Sequence, residues 1–224
     1  GKLIILLINR VAETIRRDPA VRGRISVLFL PDYGVTLAER LIPATDVSEQ
    51  ISTAGFEASG TGNMKLMFNG ALTVGTRDGA TLEMARLAGE DNIFLFGLTA
   101  EEVQGSRGWY DPRWHYAHEP ETRAALDLIA ADQFSAHEPG VFAPLLDALL
   151  RGGDYYMHLA DLRSYLETQA RVGALYEDRH GWARRAILNV ASAGWFSSDR
   201  AIAQYASEIW NVAAPAASGT RPNR

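Results

Sequence analysis

The run ALTVGTRDGATLEMARLAGEDNIFLFG, residues 71–97, decides the fold. Ala71 to Thr76 is short, apolar and β-branched, which predicts a strand. Asp78 opens a helix to Leu87 that Gly89 closes, and Ile93 to Phe96 predicts another strand ending at Gly97. Working upstream, a helix-compatible segment runs from about Thr61 to Phe68 after a glycine-rich stretch, Gly55 to Asn63. Ile51 to Ala54 predicts a short strand, Val35 to Leu41 a helix stopped by Pro43, and Arg24 to Leu30 (RISVLFL) a mostly buried strand bounded by Pro31 and Asp32. Strand and helix thus alternate from about 24 to 97, the pattern of a parallel sheet with covering helices. At the start, Ile4, Ile8, Val11 and Ile15 form the stripe of a helix packed on a core. Beyond residue 100 helices are expected throughout, at about 111–117, 120–133, 141–150, 161–177, 181–192 and 198–210. The aromatic and Met residues among them, such as Tyr155, Tyr156, Met157, Tyr165, Tyr176, Trp182, Trp195 and Trp210, are expected to pack between helices. The tail from Ala213 is small, Pro-containing and basic, a composition expected to be disordered.

Composition narrows the function. The 224 residues carry 22 basic and 27 acidic side chains, a net charge of −5, which disfavours a nucleic-acid binder. At 47% hydrophobic the chain can fill a core of one or two domains. With no cysteine it can form neither disulfide nor thiolate metal site, and it has no Asn-x-Ser/Thr sequon, so a reducing, cytoplasmic setting fits. The early apolar run Leu3 to Ile8 falls far short of the ~20 residues of a membrane span. The chain opens with Gly1 inside a helix, and a truncated or processed start is expected.

Of the 22 basic residues only Lys2 and Lys65 are lysines. Arginine stays protonated, whereas a desolvated lysine can lose its proton and attack an aldehyde. Alone, Lys65 also reads as a surface lysine with its stem on an apolar patch. It follows Gly60-Thr61-Gly62 by three residues, however, and a glycine loop running into a helix gathers free backbone N–H groups that suit an anion. The loop lacks the Gly-Lys-Ser/Thr ending of a Walker A motif, and Lys65 stands where a dinucleotide fingerprint requires a small residue. An anion loop followed by a lone amine describes a site for an aldehyde cofactor bearing a phosphate, pyridoxal phosphate. Glu57, the one carboxylate of the loop, reads either as a complement to the helix dipole or as an acceptor for a polar substrate such as a sugar. His115 and His118 share a spacing that could bind a metal, but no third ligand stands near, so no metal site is assigned; His137, His158 and His180 are isolated.

Glu57-Ala58-Ser59-Gly60-Thr61-Gly62-Asn63-Met64-Lys65, with Asn69 to Thr73, resembles the pyridoxal-phosphate attachment signature of the α-glucan phosphorylases. Residues 29–55, 75–97 and 196–210 are similar to that family as well, so the likeness covers nearly the whole chain from Lys2 to about Val212. The bacterial glycogen and maltodextrin enzymes are the most similar in type. The resemblance implies that Lys65 holds the cofactor as an internal Schiff base, that Thr61 and Gly62 bind its phosphate, and that Tyr33 and Gln50 line its pocket. Glu57, Ser59 and Gly60 match positions that bind glucosyl hydroxyls. It implies as partners an α-1,4-glucan, inorganic phosphate and glucose 1-phosphate, with the cofactor phosphate relaying a proton beside the substrate phosphate and the configuration of the sugar retained. Lys65 and Thr61 are thereby the catalytic candidates. Phe68 stands where Leu or Met is usual, Phe56 where a polar or small residue is usual, and Gly34 where animal enzymes carry Arg.

The fold this implies is α/β, a partial Rossmann-like C-terminal domain of the two-domain glycosyltransferase (GT-B) fold with a helical C-terminal extension. Residues 1–110 form the α/β part with the loop, 111–212 the helical extension and 213–224 the tail. The chain reads as the carboxyl-terminal quarter or so of such an enzyme. An amino-terminal part, and a basic segment for the substrate phosphate before Gly1, complete the site, so residues 1–224 are expected to be inactive alone. A homodimer is compatible with this reading. A non-catalytic cofactor-binding or structural fragment is the alternative, and exposed apolar surface where the other part packs would favour the fragment reading.

Overall fold

Leu72 and Val74 have no exposed surface, and with Phe94 and Phe96 they form the middle of the protein. The computed structural model describes residues 1–212; the tail, 213–224, lies outside the described residues. Three parallel strands, β1 (Val47–Gln50), β2 (Leu72–Arg77) and β3 (Phe94–Thr99), lie in the order β1-β2-β3, with Val47 opposite Leu72 and Val74 opposite Phe94. Eleven helices are described: α1 (Lys2–Arg17), α2 (Val35–Leu41), α3 (Gly62–Phe68), α4 (Gly79–Ala88), α5 (Ala100–Ser106), α6 (Pro112–His118), α7 (Pro120–Ala130), α8 (Ala143–Leu146), α9 (His158–Glu177), α10 (Arg179–Ser192) and α11 (Ser198–Glu208). The result is a mixed α/β chain, mostly helical. No helix among the described residues is long and apolar enough to cross a membrane.

Both faces of the sheet are covered, so Leu72 to Thr76 of β2 are all buried. On one face Leu72, Val74, Phe94 and Phe96 meet Val172 of α9, bordered by Trp182 and Ala186 of α10. Leu95, pointing the other way, joins Met67 of α3 and Met84, Ala85 and Ala88 of α4. The polar side chains of α9 fasten the end of β3, where Asp161 accepts a hydrogen bond from the Leu98 N–H (2.8 Å) and Ser164 one from the Gly97 N–H (3.1 Å). Gly97, at φ +76°, is needed there, because a Cβ would lie 2.8 Å from the Asp161 carboxyl carbon.

Three expectations need correction. Residues 24–30 form no strand: a single bridge, Arg22 to Ile25, is their only pairing, and Leu28 is 75% exposed. An apolar, β-branched run becomes a strand only beside a free sheet edge, and none among the described residues lies alongside it. The strand placed at 51–54 lies instead at 47–50; Val-Ser-Glu-Gln is polar because β1 is an edge strand, with only Ser48 buried. In α1 the stripe is only partly packed: Ile4 and Ile8 are exposed, Val11 and Ile15 half-buried, and only Ala12 is buried. The segment 141–150 is α8 continued by a π-helical turn, Asp147–Arg151. One helix, α5, was not anticipated, although Thr99 and Glu102 form a capping box that the sequence carries openly. Among the aromatic and Met residues, Met157 is buried, whereas Tyr155, Tyr156, Tyr176 and Trp210 are exposed.

Candidate active site

Lys65 opens into a cleft of about 730 Å³ whose lining includes Tyr33, Val35, Ile42, Thr61, Gly62 and Phe68. It stands on α3, a two-turn helix anchored by the fully buried Met67, so its backbone is held while its side chain is exposed. Among the described residues no carboxylate forms an ion pair with that amine. Thr61 is the N-cap residue of α3, and its side chain caps nothing, leaving its hydroxyl available. The N–H groups of Gly62 and Asn63, at the first positions of the helix, likewise have no hydrogen-bond partner among the described residues. A Cβ at Gly62 would touch nothing, so the approach to that backbone is open. An amine, a hydroxyl and helix-start N–H groups along a largely apolar cleft make a donor set for a flat aromatic aldehyde that carries a phosphate. The residues present fit pyridoxal phosphate.

Glu57, Ser59, Gly60 and Gln50 lie nearby but do not line this cleft. Glu57 and Ser59 are exposed on the loop 55–60, beyond the carboxyl end of β1, where ligands bind in parallel α/β sheets. The Glu57 carboxylate accepts a hydrogen bond from Ser52 Oγ at 3.2 Å, and Ser59 Oγ donates to the Gly60 carbonyl at 3.3 Å. The Gln50 amide donates to Ser48 Oγ at 2.9 Å and is half-buried. Tyr33 reaches the cleft from the segment before α2 and is 66% exposed.

Asp78 is the residue that sequence reasoning missed. One carboxylate oxygen accepts from the Phe56 N–H (3.1 Å) and the Glu57 N–H (2.8 Å), while the other caps α4 through the Gly79 N–H (2.9 Å). The Ala80 N–H donates to the Ser59 carbonyl, and a Cβ on Gly79 would lie 3.0 Å from that same oxygen. The end of β2 and the start of α4 therefore grip the loop along its backbone. The pair Asp78-Gly79 directly after an apolar strand was the available signal.

The histidine pair serves α6 itself. His115 Nδ1 lies 3.0 Å from Glu119, and His118 Nδ1 lies 2.8 Å from the Trp114 carbonyl with its ring stacked on that indole. Among the described residues no three His, Asp or Glu side chains gather in a way that could hold a metal ion.

An exposed amine and open helix-start donors, set beside the carboxyl end of a parallel strand, make a candidate ligand site in an α/β fold. Residues 1–212 match the family described as carbohydrate phosphorylase, and the chain belongs to that family. It is 50% identical over 215 residues to glycogen phosphorylase of Chlamydia trachomatis, a match covering 96% of this chain and 26% of that protein. It is 50% identical over 213 residues to the Synechocystis glycogen phosphorylase and 48% identical over 213 residues to the human brain form, each covering 95% of this chain and 25% of the relative. The chain thus spans about a quarter of the length of these relatives.

Proposed function

We propose that the chain is the carboxyl-terminal part of an α-1,4-glucan phosphorylase, which transfers a glucosyl unit from a non-reducing glucan end to phosphate and releases glucose 1-phosphate. In this reading residues 1–110 are part of a Rossmann-like domain of the GT-B fold, and 111–212 are its helical extension. The observation that carries it is the meeting of Lys65, Thr61, Gly62 and Tyr33 in one cleft of a chain from this family.

Each residue then has a physical task. The Lys65 amine is the group that attaches the cofactor aldehyde, and the Thr61 hydroxyl with the Gly62 N–H holds the cofactor phosphate at the positive end of α3. Tyr33 forms the facing wall, and Gln50 supports the pocket from the end of β1. Pyridoxal phosphate, when bound, supplies a phosphate group able to pass a proton to and from the substrate phosphate. The Glu57 carboxylate and Ser59 hydroxyl accept and donate hydrogen bonds to glucosyl hydroxyls, and the Gly60 backbone lets the sugar approach closely. Two phosphates at close range repel one another and need fixed cations. Lys65 is the only formal cation in residues 55–65 and is committed to the aldehyde, so the cations for the second phosphate come from the remainder of the enzyme.

Borohydride reduction of the cofactor-loaded full-length enzyme, followed by peptide mass mapping, should place the pyridoxyl group on Lys65. Label on Lys2, or none, would refute the assignment. A coupled assay for glucose 1-phosphate should read turnover in the full-length enzyme and none in residues 1–224 with saturating cofactor. Cofactor labelling of Lys65 with no turnover in either would instead support a non-catalytic module.

A further inference from the structure

The loop that carries Glu57 and Ser59 is held along its backbone by Asp78, through the Glu57 carboxylate by Ser52, and through the Phe56 ring by an aromatic platform. Phe56 packs edge-on against Tyr156 (5.2 Å between centroids) and Tyr155 (5.8 Å), which pack edge-on against each other at 5.0 Å. The Arg107 guanidinium, from just beyond α5, lies 5.2 Å from the Phe56 centroid and 4.9 Å from that of Tyr155. The backbone that carries the two tyrosines is tied to the core. The Tyr156 carbonyl accepts a 2.6 Å hydrogen bond from Thr53 Oγ1. Asp154, 2% exposed and at φ +45°, accepts from the Tyr110 hydroxyl (2.9 Å) and the Leu159 N–H (2.8 Å). Met157, at φ +52°, is buried against Ala54 and Val103. Non-glycine residues stay in this left-handed region only where their surroundings hold them there. The loop itself is the opposite case: it turns at Gly55 (φ +87°) and Gly60 (φ +78°), and Glu57, Ala58 and Ser59 are exposed.

We propose that Phe56, with Arg107 and Tyr155, positions the sugar-binding loop, so that Glu57 and Ser59 are ordered before the glucan arrives. The inference rests on the reading that these two residues bind the glucosyl unit. Phe56 precedes Glu57 directly, so the backbone conformation that seats its ring also sets where the Glu57 carboxylate points. Neither Phe56 nor Arg107 nor Tyr155 lines the Lys65 cleft, which separates their effect from cofactor binding. A loop released from the platform is competent only part of the time, and apparent affinity falls by that fraction while the bound complex reacts as before. The contacts involved correspond to roughly a 5- to 50-fold change in such an equilibrium.

The test is made in the full-length, cofactor-loaded enzyme. Phe56→Ala should raise the KM for maltoheptaose about 10-fold, with kcat, the KM for phosphate and the cofactor content little changed; these magnitudes follow from the same equilibrium. Phe56→Tyr should restore most of the loss. Phe56→Ala with Arg107→Ala should do no more than Phe56→Ala alone, since both remove the same restraint. An unchanged glucan KM in Phe56→Ala would overturn the proposal. So would a defect that Phe56→Tyr shares in full, or one accompanied by lost cofactor or a lowered melting temperature. Absence of phosphorolysis in the wild-type enzyme would instead remove the underlying reading. The restraint is then read by hydrogen exchange, where Phe56→Ala should speed the amides of 57–60 and unchanged rates would refute it.

Discussion

One wall of the Lys65 cleft, Thr61 to Asn69, stands on α3, whose Met67 is fully buried among α4 and the turn after α10; the other, Tyr33 to Pro43, stands on a stretch in which nothing is buried. From Glu13 to Val47 no residue is buried at all, and Leu28 and Val35 are 75% and 76% exposed. The exposed wall is no less apolar than the covered one, with Tyr33, Val35, Leu37, Ala38, Leu41 and Ile42 against Met64, Leu66, Met67 and Phe68. They differ in cover. Each exposed Leu or Val forgoes about 1.5–3 kcal/mol that burial would contribute, so a run of them is a surface shaped for a partner. In the proposed reading that partner is the remainder of the phosphorylase polypeptide, since the chain spans about a quarter of its relatives.

The largest effect should come from the covered wall. Lys65→Ala removes the attaching amine while leaving Met67 and the helix in place, and alanine suits a helix interior. Activity of the full-length enzyme should fall to the assay background and its cofactor content with it, while the melting temperature should match that of cofactor-free wild type. Retained pyridoxal absorbance would break the contrast by placing the anchor elsewhere. Glu57→Gln keeps a hydrogen-bonding side chain but removes its charge. Turnover should fall roughly 10- to 100-fold, as for loss of a charged hydrogen bond, while stability moves by no more than the ~0.3–1 kcal/mol of a helix-dipole contact. Equal losses of turnover and stability would make Glu57 structural.

Stability measurements sharpen the comparison itself. Met84→Ala, in the covered layer, should cost about 2–5 kcal/mol wherever it is measured, through lost contacts and a cavity. Leu28→Asp should cost a similar amount, about 2–5 kcal/mol, in the full-length enzyme, where a charge would enter an interface. In residues 1–224 alone it should cost under about 0.5 kcal/mol, the scale of an exposed site. Denaturant unfolding of both variants in both lengths distinguishes the cases, and a silent Leu28→Asp in the full-length enzyme would show that the exposed run 24–30, next to the second wall, is a true surface.

The same distinction explains what the sequence revealed. Residues 71–97 were legible because both strands and the helix between them find their partners within the chain, so the apolar pattern and the burial agree. Lys65 and the glycine loop were legible because two lysines among 22 cations make each conspicuous. RISVLFL misled because the pattern reports a preference for burial, and the cover is not among the described residues. β1 was missed for the reverse reason: an edge strand held by backbone pairing needs little apolar content. Asp78 and Arg107 could not be placed at the site by spacing, because their contacts span 21 to 22 and about 50 residues and arise only when the sheet forms.

The smallest expected effect lies at the far end of the covered sheet, at Asp161. Burial pushes its carboxyl group above the usual aspartate range, the Leu98 N–H and the nearby His158 oppose this, and the neighbouring Asp154 and Glu102 add to it. A carboxylate with a raised pKa in the folded state holds its proton more tightly there than in the unfolded chain, so it supports stability below the unfolded value, near ~3.9. That contribution is lost as pH rises through the folded value, and at neutral pH the buried charge is a net burden. Asp161→Asn removes the charge and keeps an oxygen that can accept from the Leu98 N–H, in a space where Gly97 leaves no room for a larger group. The variant should therefore melt slightly higher than wild type at pH 7, by a few degrees at most, on the order of 1 kcal/mol or less, and the advantage should shrink as pH falls toward 4. Melting curves across pH 4–8 check both the sign and the trend. A lower melting temperature at pH 7 would mean that the negative charge itself holds the end of β3, and that even the covered sheet depends on an electrostatic clasp as well as on its apolar layers.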